Sequence, residues 1–158
     1  GGKAEMPAVL TPEQQAKARA NPALIPNMVE EVLRLDTPTA GMWRVVMRDC
    51  ELGGYEFKGG SMVMLRYASA NRDPAKYPNP DAFDVERSNA RTHLAFGKGI
   101  HMCVGNMLSR KEMTVAFTAL LARLDDIRLK EGAELKVSPN LLLRGFVSVP
   151  ITFKKAAA

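Results

Sequence analysis

Residues 96–105 read Phe96-Gly97-Lys98-Gly99-Ile100-His101-Met102-Cys103-Val104-Gly105. Three glycines in ten residues, directly before a long helix-prone stretch, imply a tightly folded backbone. Cys103 stands at the mouth of that helix, where unpaired backbone N–H groups stabilise negative charge, so the sequence predicts a thiolate. A fixed thiolate with no second cysteine nearby suits a nucleophile or a single axial metal ligand.

Outward from this loop, a long helix is predicted over about Val104 to Leu124. Met113, Phe117, Leu120, Leu121 and Leu124 form its apolar stripe, and Arg110, Lys111 and Arg123 its wet side. Upstream, Pro12 to Ala20 reads as a short helix. Ile25 to about Leu35 reads as a second one, with Ile25, Met28, Val29, Val32 and Leu33 on one face. Pro38 ends it by pushing Thr37 towards extended geometry. Short β-prone runs follow at Trp43 to Met47, Glu51-Leu52, Tyr55 to Phe57 and Ser61 to Leu65. Gly53-Gly54 and Gly59-Gly60 punctuate them, which predicts a small antiparallel sheet. Asn71 to Arg91, rich in Asp, Asn and Pro, reads as a long meandering loop, and Phe146 to Phe153 as a hairpin strand interrupted by Pro150. The expected fold is α+β, mainly α, in one domain over 1–158.

Composition narrows the classes. Apolar residues at 46% and charged residues at 25% are ordinary for a globular domain, and no apolar run is long enough for a bilayer span. The opening GGKAEMPAV lacks the apolar core of a signal peptide. Cys50 and Cys103 lie too far apart in sequence to suggest a disulfide framework, which points to a reducing cytoplasm. A net charge of +5 suits an anionic partner, yet with 6% aromatic residues and no basic-aromatic block, nucleic-acid binding is not expected.

The pattern Phe96-Gly97-x-Gly99-x-His101-x-Cys103-x-Gly105 resembles the complete haem-ligand signature of the cytochrome P-450 family. Glu31-Val32-Leu33-Arg34 resembles its Glu-x-x-Arg helix. Pro80-x-x-Phe83 followed by Arg87 resembles the meander whose arginine joins that Glu and Arg in a buried ion network. Ala68 to Pro74, ASANRDP, is phrased like soluble bacterial members. The resemblance runs from about Thr11 to Phe153. It implies the C-terminal part of the family fold: Glu-x-x-Arg helix, small antiparallel sheets, meander, cysteine loop, long proximal helix and C-terminal hairpin.

The resemblance also assigns roles. Cys103 is the axial ligand to the iron of haem b, iron protoporphyrin IX, and the catalytic thiolate. His101 and Arg44 bind haem propionates. Phe96 keeps water from the sulfur. Gly97 and Gly105 let the loop pass close under the macrocycle, and N–H groups after Cys103 donate to the sulfur. Thr39, Ala40, Met42, Leu142 and Leu143 face the substrate. Lys98, Arg110 and Lys111 form a basic patch for an electron donor of the ferredoxin or flavin reductase type. The implied activity is monooxygenation of an apolar small molecule with dioxygen and two electrons.

Other readings of the same residues are weaker. A zinc site from Cys50, His93, His101 and Cys103 has the ligand count but not the paired short spacings. A Cys103 nucleophile served by His101 lacks a third group to orient the base. Cys50 reads most simply as a small strand residue. The family's distal helix and N-terminal half find no counterpart in this sequence. Two expectations follow: an enzyme that works only with the missing N-terminal portion, or a truncated, non-catalytic haem-binding module that associates with a second copy of itself.

Overall fold

A computed structural model describes residues 10–156. Helix α1 (Pro12–Ala20) opens with Pro12 in its first turn, and Thr11 Oγ1 accepts from the Gln14 N–H at 3.3 Å. A short 3-10 turn, Pro22–Leu24, leads into α2 (Ile25–Asp36). Proline fits both helix starts because the first N–H groups have no intrahelical partner to lose.

Helix α2 is the centre of the molecule. Ile25 and Met28 pack with Ala18, Val85 and Leu121, while Val29 and Leu33 pack with Ala95. Each of the larger aliphatic side chains among them contributes roughly 1.5–3 kcal/mol when fully buried. Phe117 touches both clusters, so α4 (Asn106–Arg123) is held along the length of α2. The predicted stripe of α4 is only partly realised. Leu121 is buried and Met113 and Phe117 half-buried, but Leu120 is exposed and Leu124 begins the next strand.

Thr37 corrects an expectation. It is left-handed (φ 41°, ψ 75°), not extended. That conformation costs a non-glycine residue roughly 1–2 kcal/mol. Three hydrogen bonds offset it. The Thr37 N–H donates to Leu33 O (3.0 Å), its Oγ1 donates to Arg34 O (2.7 Å), and Asn71 Nδ2 donates to that Oγ1 (2.9 Å).

The predicted small sheet is two separate antiparallel pairs. Strand β1 (Met42–Val45) pairs with β4 (Met62–Leu65), placing Arg44 opposite Val63. Between them, β2 (Cys50–Leu52) and β3 (Tyr55–Phe57) form a hairpin. Its turn residues Gly53 and Gly54 have φ of 60° and 80°, the left-handed geometry that a two-residue hairpin turn requires. A short helix, α3 (Tyr67–Ala70), precedes the meander, which contains no strand. A third pair joins β5 (Leu124–Leu129) to β6 (Ile151–Lys155). Strand β6 begins only after Pro150, and Phe146 instead bridges Val137.

The meander is anchored by charge. Arg34 Nε and Nη2 grip Glu31 at 2.7 and 2.9 Å, and Arg87 Nε reaches the same carboxylate at 2.8 Å. Arg34 also donates to the carbonyls of Asn71, Pro80 and Ala82, and Arg87 to those of Pro78, Asn79 and Ala82. Glu31 and Arg34 are fully buried, so these bonds replace water entirely. The Glu31, Arg34 and Arg87 grouping read from the sequence is assembled in the structure. Replacing Arg34 with leucine leaves buried carbonyls and part of a buried carboxylate without donors. The expected loss is about 3–5 kcal/mol, read as a large drop in the urea midpoint at an unchanged slope.

Candidate functional site

The loop before α4 is shaped by its backbone. The Cys103 N–H donates to Phe96 O (2.8 Å), the Gly97 N–H to Leu94 O (2.8 Å) and the Met102 N–H to Gly99 O (3.1 Å). Gly97 has φ 69°, and a Cβ there would lie 3.5 Å from His101 O and 3.7 Å from Tyr67 Oη. The strained backbone, more than lack of room, therefore calls for glycine. A Cβ on Gly105 would sit 3.9 Å from Cys103 Sγ, so the backbone passes close to the thiol.

Cys103 opens into a cavity of about 390 Å³. His101, Arg44, Phe96, Gly97, Thr39 and Met42 line it as well, so seven residues singled out in the sequence share one space. Leu33, Pro38, Tyr67 and Ala95 complete the wall, and the sequence reading missed all four as lining residues. Only packing of α2 and α3 against the loop brings them there. Arg44 donates through Nη1 to the Trp43 carbonyl at 2.8 Å. Ala40, Leu142 and Leu143 do not line the cavity but tie its rim together. The Ala40 N–H donates to Leu142 O (2.7 Å), and Thr39 bridges Leu143. The two stretches assigned to substrate contact are thus neighbours in space.

Behind the loop lies a polar cluster that the sequence did not reveal. Glu30 accepts from Arg110 Nε (2.7 Å) and Nη2 (3.2 Å), and from His93 Nε2 (3.0 Å). His93 Nδ1 accepts from the Ala95 N–H (3.0 Å), which fixes the Nε2–H tautomer. The Arg110 guanidinium stacks 4.6 Å from the Phe96 ring centre. Arg110 also donates to Asn106 Oδ1 (2.7 Å), and Asn106 Nδ2 donates to the Cys103 carbonyl (2.6 Å). The Asn106 amide adds a bond to that carbonyl at 3.2 Å, so both Asn106 donors serve the Cys103 backbone oxygen.

This corrects the reading of Arg110 as a solvent-facing member of a basic patch. Its side chain is 16% exposed and committed to Glu30. Lys98 and Lys111 are exposed as expected. Among the described residues no three His, Cys, Asp or Glu side chains converge to hold a metal ion, so the zinc arrangement is not formed. Cys50 is exposed on β2 opposite Phe57.

The family profile described as Cytochrome P450 matches residues 3–153. The chain is 42% identical over 149 residues to cytochrome P450-terp of a Pseudomonas species, with 92% of this chain and 33% of that protein covered. It is 40% identical over 143 residues to the biotin biosynthesis cytochrome P450 of Bacillus subtilis, covering 90% of this chain and 36% of that protein. A Mycobacterium marinum cytochrome P450 solved in the substrate-free form superposes with TM-score 0.88 at 35% identity, over 93% of this chain and 38% of its own. The chain belongs to the cytochrome P450 family, whose cofactor is haem b. It spans about a third of the length of the curated relatives it matches.

The residues present fit that cofactor. A thiol sulfur, two side chains able to pair with carboxylates and a set of apolar walls meet around one cavity. These are the donors an iron, two propionates and a flat macrocycle require.

The Glu30 cluster has a pH signature. Burial pushes the Glu30 carboxyl up, but hydrogen bonds from His93 and Arg110, with the Arg110 charge, bring it below its ordinary value. A carboxylate held low when folded contributes stability that is present at neutral pH. That stability is lost as pH falls below about 4 and through the depressed folded value. Wild type should therefore exceed Glu30→Gln in urea midpoint at neutral pH, and the gap should close on acidification in that window.

Proposed function

We propose that this chain is the haem-thiolate segment of a monooxygenase that hydroxylates apolar organic substrates, with Cys103 as the thiolate that would hold the iron of haem b. The observation that carries the reading is the convergence of Cys103, Arg44 and His101 on a single, otherwise mostly apolar cavity. Haem, when bound, supplies dioxygen activation with two electrons from a donor protein.

The chain's own residues do the rest. Arg44 and His101 would hold the propionates of the haem. Phe96, held by the Arg110 stack, excludes water from the sulfur side. Gly97 and Gly105 allow the close backbone approach around Cys103. Thr39 and Met42 line the side from which an apolar substrate would approach. Ala40, Leu142 and Leu143 fix that rim through the Ala40–Leu142 bond and the Thr39–Leu143 bridge. Glu31, Arg34 and Arg87 hold the scaffold on which all of this is mounted.

Lys98 and Lys111 form the proposed docking surface for an acidic ferredoxin or flavin reductase. Charge reversal at Lys111 should raise the Michaelis constant for the donor at low salt and matter less at high salt. No effect at low salt would remove Lys111 from the surface. Among the described residues no helix is long and apolar enough to cross a membrane. We assign the chain to the cytoplasm, where Cys50 and Cys103 stay reduced.

We further propose that residues 1–158 form one structural unit, the C-terminal part of the family fold, and turn over substrate only when the remaining portion covers them. Large apolar side chains stand unprotected at several places, among them Met42, Trp43, Val45 and Leu143 and, around the cysteine loop, Ile100 and Val104. The same observation favours a second reading, a non-catalytic haem-binding module that pairs with its own copy.

The deciding experiment reconstitutes the chain with haemin, reduces it and records the carbon monoxide difference spectrum beside Cys103→Ser. A strongly red-shifted Soret band that vanishes in the variant is expected. A histidine-like band or no uptake would sink the thiolate assignment for this chain alone. Co-expression with a matching N-terminal portion should then restore turnover. A haem-loaded complex that oxidises nothing, together with a dimer on size-exclusion chromatography, would favour the module.

A further inference from the structure

Asn71 is fully buried, and both its backbone groups and both its side-chain heteroatoms are engaged. Its N–H donates to Tyr67 O (2.9 Å), and its carbonyl accepts from Arg34 Nη1 (2.9 Å). Its Nδ2 donates to Thr37 Oγ1 (2.9 Å), and its Oδ1 accepts from the Leu94 N–H (2.7 Å). The backbone bonds secure Asn71 to α3 and to the buried arginine. The carboxamide then spans two segments far apart in sequence.

Those two segments lead into two different stretches of the wall of the Cys103 cavity. Thr37 leads directly into Pro38, Thr39 and Met42, and Leu94 into Ala95, Phe96 and Gly97. Tyr67, held by the Asn71 N–H, is a third wall. Thr37 sits in a left-handed conformation that its neighbours must sustain, so its side-chain bonds decide where the Pro38 wall starts. The Leu94 amide, in a half-buried stretch, loses its acceptor if Oδ1 is removed.

We infer that Asn71 is a positioning residue. Its carboxamide clasps the Thr37 turn to the Leu94 segment and thereby sets the width of the cavity into which Cys103 opens. Its effect on haem ligation rests on the function proposed above; its effect on the two walls does not. A clasp has a property that ordinary local packing lacks. Cutting it on one wall must loosen the other. Thr37→Val keeps the β-branched shape, deletes the hydroxyl and leaves the Asn71–Leu94 bond formally intact. Thr37→Ser keeps the hydroxyl.

Backbone hydrogen exchange on the whole chain tests this. In Thr37→Val, amides across 94–97 should exchange roughly five- to tenfold faster, the size of one lost buried hydrogen bond, although the substitution lies on the other wall. Thr37→Ser should exchange like wild type, and Asn71→Ala should speed both walls. If Asn71→Ala loses its helical circular dichroism, Thr37→Val decides the matter. Acceleration confined to 37–42, with 94–97 unchanged, would overturn the clasp.

The haemin-loaded samples carry the second readout. Thr37→Val should retain Cys103 yet give a smaller fraction of the red-shifted carbon monoxide band than wild type or Thr37→Ser. Wild type without that band, but with exchange coupled across the walls, would retire the haem assignment and leave the clasp standing. Wild type with the band, but with no cross-wall exchange in Thr37→Val, would retire the clasp alone.

Discussion

Glu31 lies where no water reaches it, and its charge is balanced by two guanidinium groups that arrive from different directions. Arg34 comes from one turn further along α2, and Arg87 from the far end of the meander. An isolated buried carboxylate would cost several kcal/mol, so α2 can sit at the centre only if the meander closes over it. The arginines spend their remaining donors on meander carbonyls, which gives a strandless segment a defined path. From that path follow the position of Asn71, the start of the cysteine loop and the walls of the cavity.

A second charged cluster repeats the device one residue earlier. Glu30 gathers His93 from the loop's start and Arg110 from α4, while Glu31 gathers the meander. Adjacent glutamates on one helix thus face different parts of the chain. The Glu30 side has a direct line to the thiol segment, through Arg110, Asn106 and the Cys103 carbonyl. Arg110 performs two tasks at once, since its guanidinium plane also covers Phe96.

What the sequence disclosed depended on how local the signal was. Helix α2 was legible nearly to the residue, because its apolar spacing and flanking prolines are local. The cysteine loop was legible because glycine, histidine and cysteine types at fixed intervals state a chemistry. Strand β5 was missed because Leu124–Leu129 carries Asp125, Asp126 and Arg128, with a bulge that breaks alternation. Thr37 was misread because the proline after it argues for extension, while the bonds that override this come from Asn71 and Arg34. Arg110 looked solvated on its own helix. The carboxylate that claims it is 80 residues away, and periodicity carries no trace of such a partner.

The ion network also orders events as the chain folds. Glu31 and Arg34 are three residues apart and can pair as soon as one turn of α2 forms, still in water. Arg87 lies 56 residues from Glu31, so its arrival requires closing a long loop before any reward is collected. Until that closure, dehydrating the glutamate is unfavourable, and α2 must stay wet on its charged side. Collapse of the apolar clusters and docking of the meander are therefore coupled into one late step, and a chain stalled before it presents a hydrated helix rather than a misburied charge.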